Sequence, residues 1–146
     1  KYTKWQYDPY HYCLEVILER FVMHLDKQGG RGDSMVESRA GRDDMRLKKS
    51  YRGLYANGGS NIDAASFQAH LTSSELKVKP KQANVAGLQL ADLMACAACR
   101  GVLREMNLPT LPMKDLDEAI WGVLEKTRFR RNGSGRIWGY GKKLLP

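Results

Sequence analysis

Residues 79–93 read KPKQANVAGLQLADL, and this stretch marks a change from an extended segment to a helix. The five residues that end at Lys79 alternate polar and apolar side chains, a pattern typical of a strand, and Pro80 stops it. The helix that follows begins near Asn84 and reaches about Met106, with apolar residues on all sides over most of its length. Such helices are normally buried. We therefore predict a short strand followed by a long core helix.

Other segments also show helical or extended patterns. Apolar residues recur at helical spacing from Tyr10 until Gly29 and Gly30 end the helix. A short strand is predicted over residues 33–38, after a glycine-rich turn. The remaining predicted helices span residues 42–56, 63–71 and 115–127, and a basic, glycine-rich tail covers residues 129–145. This order predicts an α/β fold with short strands and several helices.

The predicted strands are too few for a sheet of their own. Either further strands complete the sheet, or the chain is largely helical with a small hairpin. The sequence has no initiator Met and no signal peptide, so we take its start as an internal cut. We therefore favour an incomplete sheet whose N-terminal strands are missing. With no internal repeat or linker, residues 1–146 are interpreted as a single domain, the C-terminal portion of a longer one.

Composition limits the compartment and the partners of the protein. The longest apolar run, residues 85–99, is shorter than the roughly 18 residues of a membrane-spanning helix, so we expect no membrane segment. Three cysteines without a disulfide framework favour a reducing, cytoplasmic location. The net charge of +8 favours polyanionic partners such as nucleic acid or acidic protein surfaces, although many basic proteins bind no nucleic acid.

Asp92 is the most informative polar residue, because it lies within the predicted core helix. A buried carboxylate has to be paired, metal-bound or neutralised. Gln89 lies three residues earlier, on the same helical face. Two interpretations stay open: a structural pair with a buried arginine, or a functional carboxylate.

Glu37 is a second candidate, at the end of the short strand and two residues before Arg39. A carboxylate in this position is either a metal ligand or half of a surface ion pair, and surface pairs contribute little. Asp43 and Asp44 stand at the start of the next helix, where the helix dipole favours acidic residues. A metal contact from either of them is the less favoured alternative.

Two groups of basic residues are candidates for phosphate contacts. Lys77, Lys79 and Lys81 alternate along and just after a strand, which indicates either a solvated edge strand or a phosphate-contacting stripe. The second group is interleaved with aromatic residues of the tail. That pattern is typical both of single-stranded nucleic acid binding and of a tail that packs on its own domain. The basic members of this group are Lys126, Arg128, Arg130, Arg131, Arg136, Lys142 and Lys143.

Cys96 and Cys99 have the spacing of a zinc or redox motif, but a second cysteine pair and a histidine at ligand spacing are missing. The pair also lies deep inside a helix, whereas redox pairs usually stand at a helix start. We therefore interpret both cysteines as small core residues. No histidine has a serine or cysteine partner at the spacing of a catalytic triad.

Several stretches of the chain together resemble the family called domain of unknown function 3800. The most specific is residues 79–93, and the others are residues 10–16, 18–21, 36–39 and 139–146, so the similarity spans essentially the whole chain. The resemblance implies an RNase H-like fold. Members of the family usually begin with a strand that carries Asp-Glu-Ser-Gly, which this sequence lacks. The chain is therefore similar to the C-terminal portion of such a domain.

The same resemblance implies a metal-dependent nuclease. Glu37 and Asp92 would join the aspartate of the absent strand as catalytic and metal-binding residues around one or two Mg²⁺ or Mn²⁺ ions. Arg39, Lys79 and Lys81 would hold the phosphate. Without the first aspartate, this chain is expected to bind metal poorly and to be nearly inactive. The alternative is a non-catalytic nucleic-acid-binding or protein-interaction module of a phage or defence system, and the sequence does not fix an oligomeric state.

Overall fold

The computed structural model describes residues 9–39 and 41–142, apart from the side chain of Pro9. Over these residues the protein is a mixed α/β fold, mostly helical, with a short two-stranded sheet. The coarse prediction of an α/β chain with short strands and several helices is therefore confirmed. The elements are α1 (Pro9–Gln28), β1 (Met35–Glu37), α2 (Arg42–Asn57), α3 (Ala64–His70), β2 (Lys77–Lys79), a 3-10 turn (Lys81–Ala83), α4 (Ala86–Glu105), α5 (Asp115–Val123) and a π-helical turn (Leu124–Arg128).

The chain divides into two compact units, residues 1–85 and residues 86–146. The first unit contains the sheet and helices α1 to α3, and the second contains α4, α5 and the tail. The prediction of one domain over residues 1–146 stays a prediction.

In the first unit, β1 and β2 are parallel, with Val36 opposite Val78. Two helices, α2 and α3, connect the strands. The hairpin of the second alternative is therefore wrong, because a two-residue turn joins only antiparallel strands. Its expectation of a largely helical chain is confirmed over the described residues. The backbone N–H of Ser38 donates to the Lys79 carbonyl at 2.8 Å, so the pairing continues just beyond β1.

The core of the first unit lies between the sheet and its three helices. Val36 and Val78 pack against this core from the sheet. Because side chains alternate along a strand, the residues on either side of these valines are directed to the opposite, exposed face. Core residues, all buried, are Leu14, Leu18, Val22, Tyr51, Leu54, Phe67, Leu71 and Leu76.

Tyr51 is fully buried in this core, and its hydroxyl donates to the Ser73 carbonyl at 2.9 Å. Burial, with a smaller contribution from the negative charge of Asp33, raises the pKa of Tyr51 to about 12. A tyrosine of the unfolded chain ionises near pH 10, whereas this one keeps its proton when folded. Between pH 10 and 12 the unfolded state alone loses the proton, so stability falls as pH rises.

We therefore expect this tyrosine to lower the free energy of unfolding by roughly 2 kcal/mol between pH 10 and 12. Urea unfolding at a series of pH values, followed by circular dichroism, measures the loss. Tyr51→Phe should be less stable at pH 8, because the Ser73 carbonyl loses its donor, but should depend less steeply on alkaline pH. Equal pH dependence of the two proteins would contradict the assignment.

Two buried glutamates on α1 hold the loop between α2 and α3. Glu15 accepts hydrogen bonds from the Ser60 N–H and hydroxyl, both at 2.6 Å. Glu19 accepts from the Asn61 N–H at 2.7 Å and from the Asn61 side-chain amide at 2.8 Å. The loop passes close to both carboxylates at Gly59, where a Cβ atom would lie 2.8 Å from Glu19 Oε1. The two acids therefore fix the loop and leave little room for a side chain at Gly59.

In the second unit, α4 packs on α5 through a close approach at Gly101. A Cβ atom at this position would overlap the ring of Trp121, so glycine is required for the contact. Two ion pairs, Arg100 with Asp117 and Arg104 with Glu118, also join these helices. The seam between α4 and α5 thus combines a small residue under an aromatic ring with charge pairs at its edge.

Helix α4 is not the buried core helix that its composition predicts. Only Ala97 and Gly101 are buried along it, whereas Leu90 is 56% and Leu93 44% exposed. Packing on α5 buries only one stripe of α4, so most of the apolar surface of this helix is exposed. By length and composition α4 is the single helix in the described residues that could cross a membrane, a property that core helices of soluble proteins share. The expected absence of a membrane segment and the cytoplasmic location stay predictions.

Candidate functional site

Glu37 is the last residue of β1 and lies on the exposed face of the sheet. Its register partner is Lys79 on β2. Despite this position, the Glu37 carboxylate forms no ion pair with any residue in the described ranges 9–39 and 41–142. The interpretation of Glu37 as half of a surface ion pair therefore has no support within those ranges.

The three residues expected to contact phosphate, Arg39, Lys79 and Lys81, are all exposed and belong to the first unit. Lys79 stands on the same exposed sheet face as Glu37, and Lys81 follows in the 3-10 turn. Arg39 comes two residues after Glu37. The fold thus places these basic residues close to the end of the sheet where both strands terminate.

Asp44 organises the chain just after Glu37, a role that the sequence did not reveal. Its carboxylate accepts from the Ser38 hydroxyl at 2.5 Å and from the Arg39 backbone N–H at 2.9 Å. It thus connects the first turn of α2 to the end of β1. A metal contact from Asp44 is the less favoured alternative, and both of its oxygens accept these hydrogen bonds. We therefore assign it the role of positioning the segment that carries Arg39.

Lys77 differs from Lys79 because it already has a carboxylate partner. It forms an ion pair with Asp33, and the hydrogen bond from Lys77 holds the pKa of the Asp33 carboxyl below its ordinary value. The phosphate-contacting stripe of alternating lysines is therefore reduced to Lys79 and Lys81. Neither of these two forms an ion pair with a described carboxylate.

Asp92 is exposed in the first half of α4, and its expected burial is wrong. It precedes the buried Ala97 by five residues, which places the two about 140° apart around the helix. Asp92 is therefore directed away from the stripe that packs on α5. No arginine or lysine pairs with it in the part of the chain that the structure describes, so the structural alternative of a buried arginine partner has no support there. Gln89 is exposed one turn earlier.

Glu37 and Asp92 belong to different units. Their predicted meeting around a metal ion therefore stays a prediction. Within residues 9–39 and 41–142, no three or more His, Cys, Asp or Glu side chains form a group that could hold a metal ion. Each carboxylate is nevertheless chemically suited to Mg²⁺ or Mn²⁺, because it is exposed, offers hard oxygen ligands and pairs with no cation in the described part of the chain.

The cysteines do not have the positions expected of small core residues. Cys96 and Cys99 are both exposed on α4, and Cys13 is half-buried. The interpretation of Cys96 and Cys99 as small core residues is wrong, because α4 buries only the stripe that contacts α5. Among the histidines, His70 links α3 to the end of α1, with Nδ1 3.1 Å from the Gly30 carbonyl.

Comparisons of the chain with models of protein families, with curated proteins and with solved structures found no match. The resemblance to domain of unknown function 3800 therefore stays a prediction, as do the activity and the metal that it implies.

Proposed function

We propose that this chain forms part of a metal-dependent nuclease with an RNase H-like fold, in which Asp92 and Glu37 are catalytic metal ligands. The observation that carries the proposal is the position of Asp92. An acidic residue on an apolar helix, exposed and directed away from the packing partner of that helix, contributes little to folding. In a chain of net charge +8 it also has no cationic partner among the described residues. A carboxylate in this position is accessible to a hard cation such as Mg²⁺ or Mn²⁺, which prefers oxygen ligands.

The environment of Glu37 supports the same proposal. It combines a carboxylate without an ion-pair partner in the described ranges and three exposed basic residues at one end of a sheet. In the proposed site, Arg39, Lys79 and Lys81 bind the phosphate, and Asp44 fixes the segment that carries Arg39. Bound Mg²⁺ or Mn²⁺ supplies activation of water and stabilisation of the leaving oxygen. The family resemblance implies one more carboxylate, from an Asp-Glu-Ser-Gly strand that this sequence does not contain.

The parallel pairing of β1 and β2 supports the RNase H-like part of the proposal. Parallel strands usually belong to larger sheets that are covered on both faces. Here, one face of the pair packs on the core through Val36 and Val78, while the other is exposed. The exposed leucines of α4 are likewise typical of a helix that packs against a larger structure.

Asp92→Asn in the natural full-length protein tests the proposal. We expect Mg²⁺- or Mn²⁺-dependent cleavage of DNA or RNA to fall by on the order of 100-fold or more, because a ligand charge is lost. Asp115→Asn is the matched control, since Asp115 is an exposed acid of the same unit without an ion-pair partner in the described ranges. Calorimetric titration with Mn²⁺ should show weakened binding only for Asp92→Asn. Cleavage by Asp92→Asn at the wild-type rate would overturn the assignment.

A non-catalytic nucleic-acid-binding module is the second candidate function. The net charge of +8 and the exposed Arg39, Lys79 and Lys81 favour it, because binding through basic surfaces needs no pair of catalytic carboxylates. This module would bind oligonucleotides in EDTA, equally well with Asp92→Asn, and would cleave none of them. The two functions are therefore separated by measuring binding and cleavage on the same variants.

A further inference from the structure

The C-terminal basic segment, residues 126–142, differs in charge from the rest of the chain. No acidic residue follows Glu125 in the sequence, while basic residues continue to occur. Those within the described part of the segment are Lys126, Arg128, Arg130, Arg131, Arg136 and Lys142, and all except Lys142 are exposed. The segment therefore presents a surface of one sign.

Nearby acidic residues do not neutralise this surface, because other cations already use them. Glu105 and Glu125 both contact Lys142, with Nζ to Oε1 distances of 2.6 and 3.4 Å. Asp117 and Glu118 pair with arginines of α4. Among the exposed cations of the segment, the side chains of Lys126, Arg128 and Arg136 form neither an ion pair nor a hydrogen bond within the described residues.

A compact turn gives the segment a defined shape. The Asn132 side-chain oxygen accepts from the backbone N–H groups of Ser134 at 3.0 Å and Arg136 at 2.7 Å. Arg131 donates to the Glu125 carbonyl at 2.7 Å and to the Gly135 carbonyl at 3.2 Å. These bonds fix both ends of the turn. The charges are therefore carried by ordered backbone, which lowers the entropy that binding would cost.

Aromatic residues serve two different purposes here. Phe129 packs edge-on against Trp121, with ring centroids 5.6 Å apart, and so attaches the segment to α5. Tyr140 instead leaves 42% of its surface exposed. An exposed tyrosine in a segment with exposed arginines is the combination that proteins use to stack a nucleic acid base while they bind its phosphates.

We propose that the C-terminal basic segment binds single-stranded nucleic acid, with Lys126, Arg128 and Arg136 contacting phosphates and Tyr140 stacking on a base. The inference rests on the proposed function, since it assigns the surface that would hold the substrate of the nuclease. A membrane surface is the less suitable partner. Interfacial binding needs a broad apolar face, and among the described residues of the segment Tyr140 is the single large apolar side chain that is exposed.

The test titrates a labelled single-stranded oligonucleotide with protein in EDTA and follows binding by fluorescence anisotropy. It compares the Kd of the wild type with that of a triple variant, Lys126→Gln/Arg128→Gln/Arg136→Gln. Loss of three phosphate contacts should raise Kd by on the order of 100-fold at about 0.1 M salt. It should also reduce the magnitude of the negative slope of log K against log salt by about 2. The matched control is Lys27→Gln/Arg46→Gln/Lys49→Gln, which removes three exposed charges from the first unit. Tyr140→Leu should weaken binding with an unchanged salt slope.

Equal weakening by the two triple variants would overturn the proposal, because net charge alone would then explain it. Tighter binding of duplex than of single strand would overturn the single-strand assignment. The proposal would also be overturned if the protein bound anionic phospholipid vesicles and not the oligonucleotide, and if the triple variant weakened that vesicle binding. Failure of the nuclease proposal gives a different result. The protein would then cleave nothing, or Asp92→Asn would cleave as fast as the wild type. Binding in EDTA would still occur and would still depend on the segment.

Discussion

Replacing Glu15 and Glu19 by alanine is expected to lower the free energy of unfolding of the first unit by about 3 kcal/mol. The two buried carboxylates accept four hydrogen bonds from Ser60 and Asn61, at 2.6 to 2.8 Å. Hydrogen bonds to a charged group are each worth roughly 1.5–3 kcal/mol. Ser60 and Asn61 are exposed, so water replaces part of the loss, and the total stays well below four times that value.

Urea unfolding followed by circular dichroism measures this effect. The control is Glu37→Ala/Glu75→Ala, which removes two glutamates of the same unit that are exposed. Glu75 pairs with Arg52 at the surface, where an ion pair adds little to stability, so the control should unfold close to the wild type. In the variant that lacks Glu15 and Glu19, amide hydrogen exchange should also become faster in residues 58–62. An unfolding midpoint equal to that of the control would show that the loop does not depend on these glutamates.

The sequence predicts the helices of the first unit well, because their ends have local causes. The spacing of Leu14 and Leu18 indicates the inner face of α1, and both are buried. Helix α2 ends at Asn57, and Gly58 follows with a positive φ of 83° that favours glycine. These features depend on neighbours in the chain and can be predicted without knowing what the chain packs against.

The parallel pairing of β1 with β2 could not be predicted in this way. Its register joins Glu37 to Lys79, across two helices, and no local pattern specifies such a contact. The buried Glu15 and Glu19 were also missed. A signal was present, since both acids stand next to the core positions Leu14 and Leu18, where a charged residue needs a partner.

Helix α4 shows where composition misleads. Its apolar residues predicted burial on all sides, but only the stripe containing Ala97 and Gly101 is covered. Gly101 was the informative residue, because a glycine within a helix often permits a close approach, here by Trp121. The candidate site changes accordingly: Asp92 is not a buried charge. Its proposed role depends instead on its exposure without an ion pair among the described residues.

In the second unit, the buried Lys142 leads to a prediction of similar size. Its side chain is only 2% exposed, and its ammonium group lies between Glu105 and Glu125, 4.3 Å from the centre of the Trp121 ring. Glu105→Gln/Glu125→Gln leaves this charge buried with neutral partners. We expect the free energy of unfolding of the second unit to fall by about 3 kcal/mol, since removing one side of a buried ion pair leaves its desolvation uncompensated. Tryptophan fluorescence during urea unfolding reports the change.

Adding Lys142→Met to that double variant distinguishes the charge from other effects of the substitutions. Methionine retains the length and apolar contacts of the lysine stem, and no buried charge remains. Apolar replacements of a whole buried ion pair are often neutral or stabilising, so the triple variant should regain most of the lost stability. If the triple variant stays as unstable as the double variant, the carboxylates stabilise the tail by some means other than compensating Lys142. If it recovers, the buried ammonium is the reason that residues 129–142 need both glutamates to stay packed on α5.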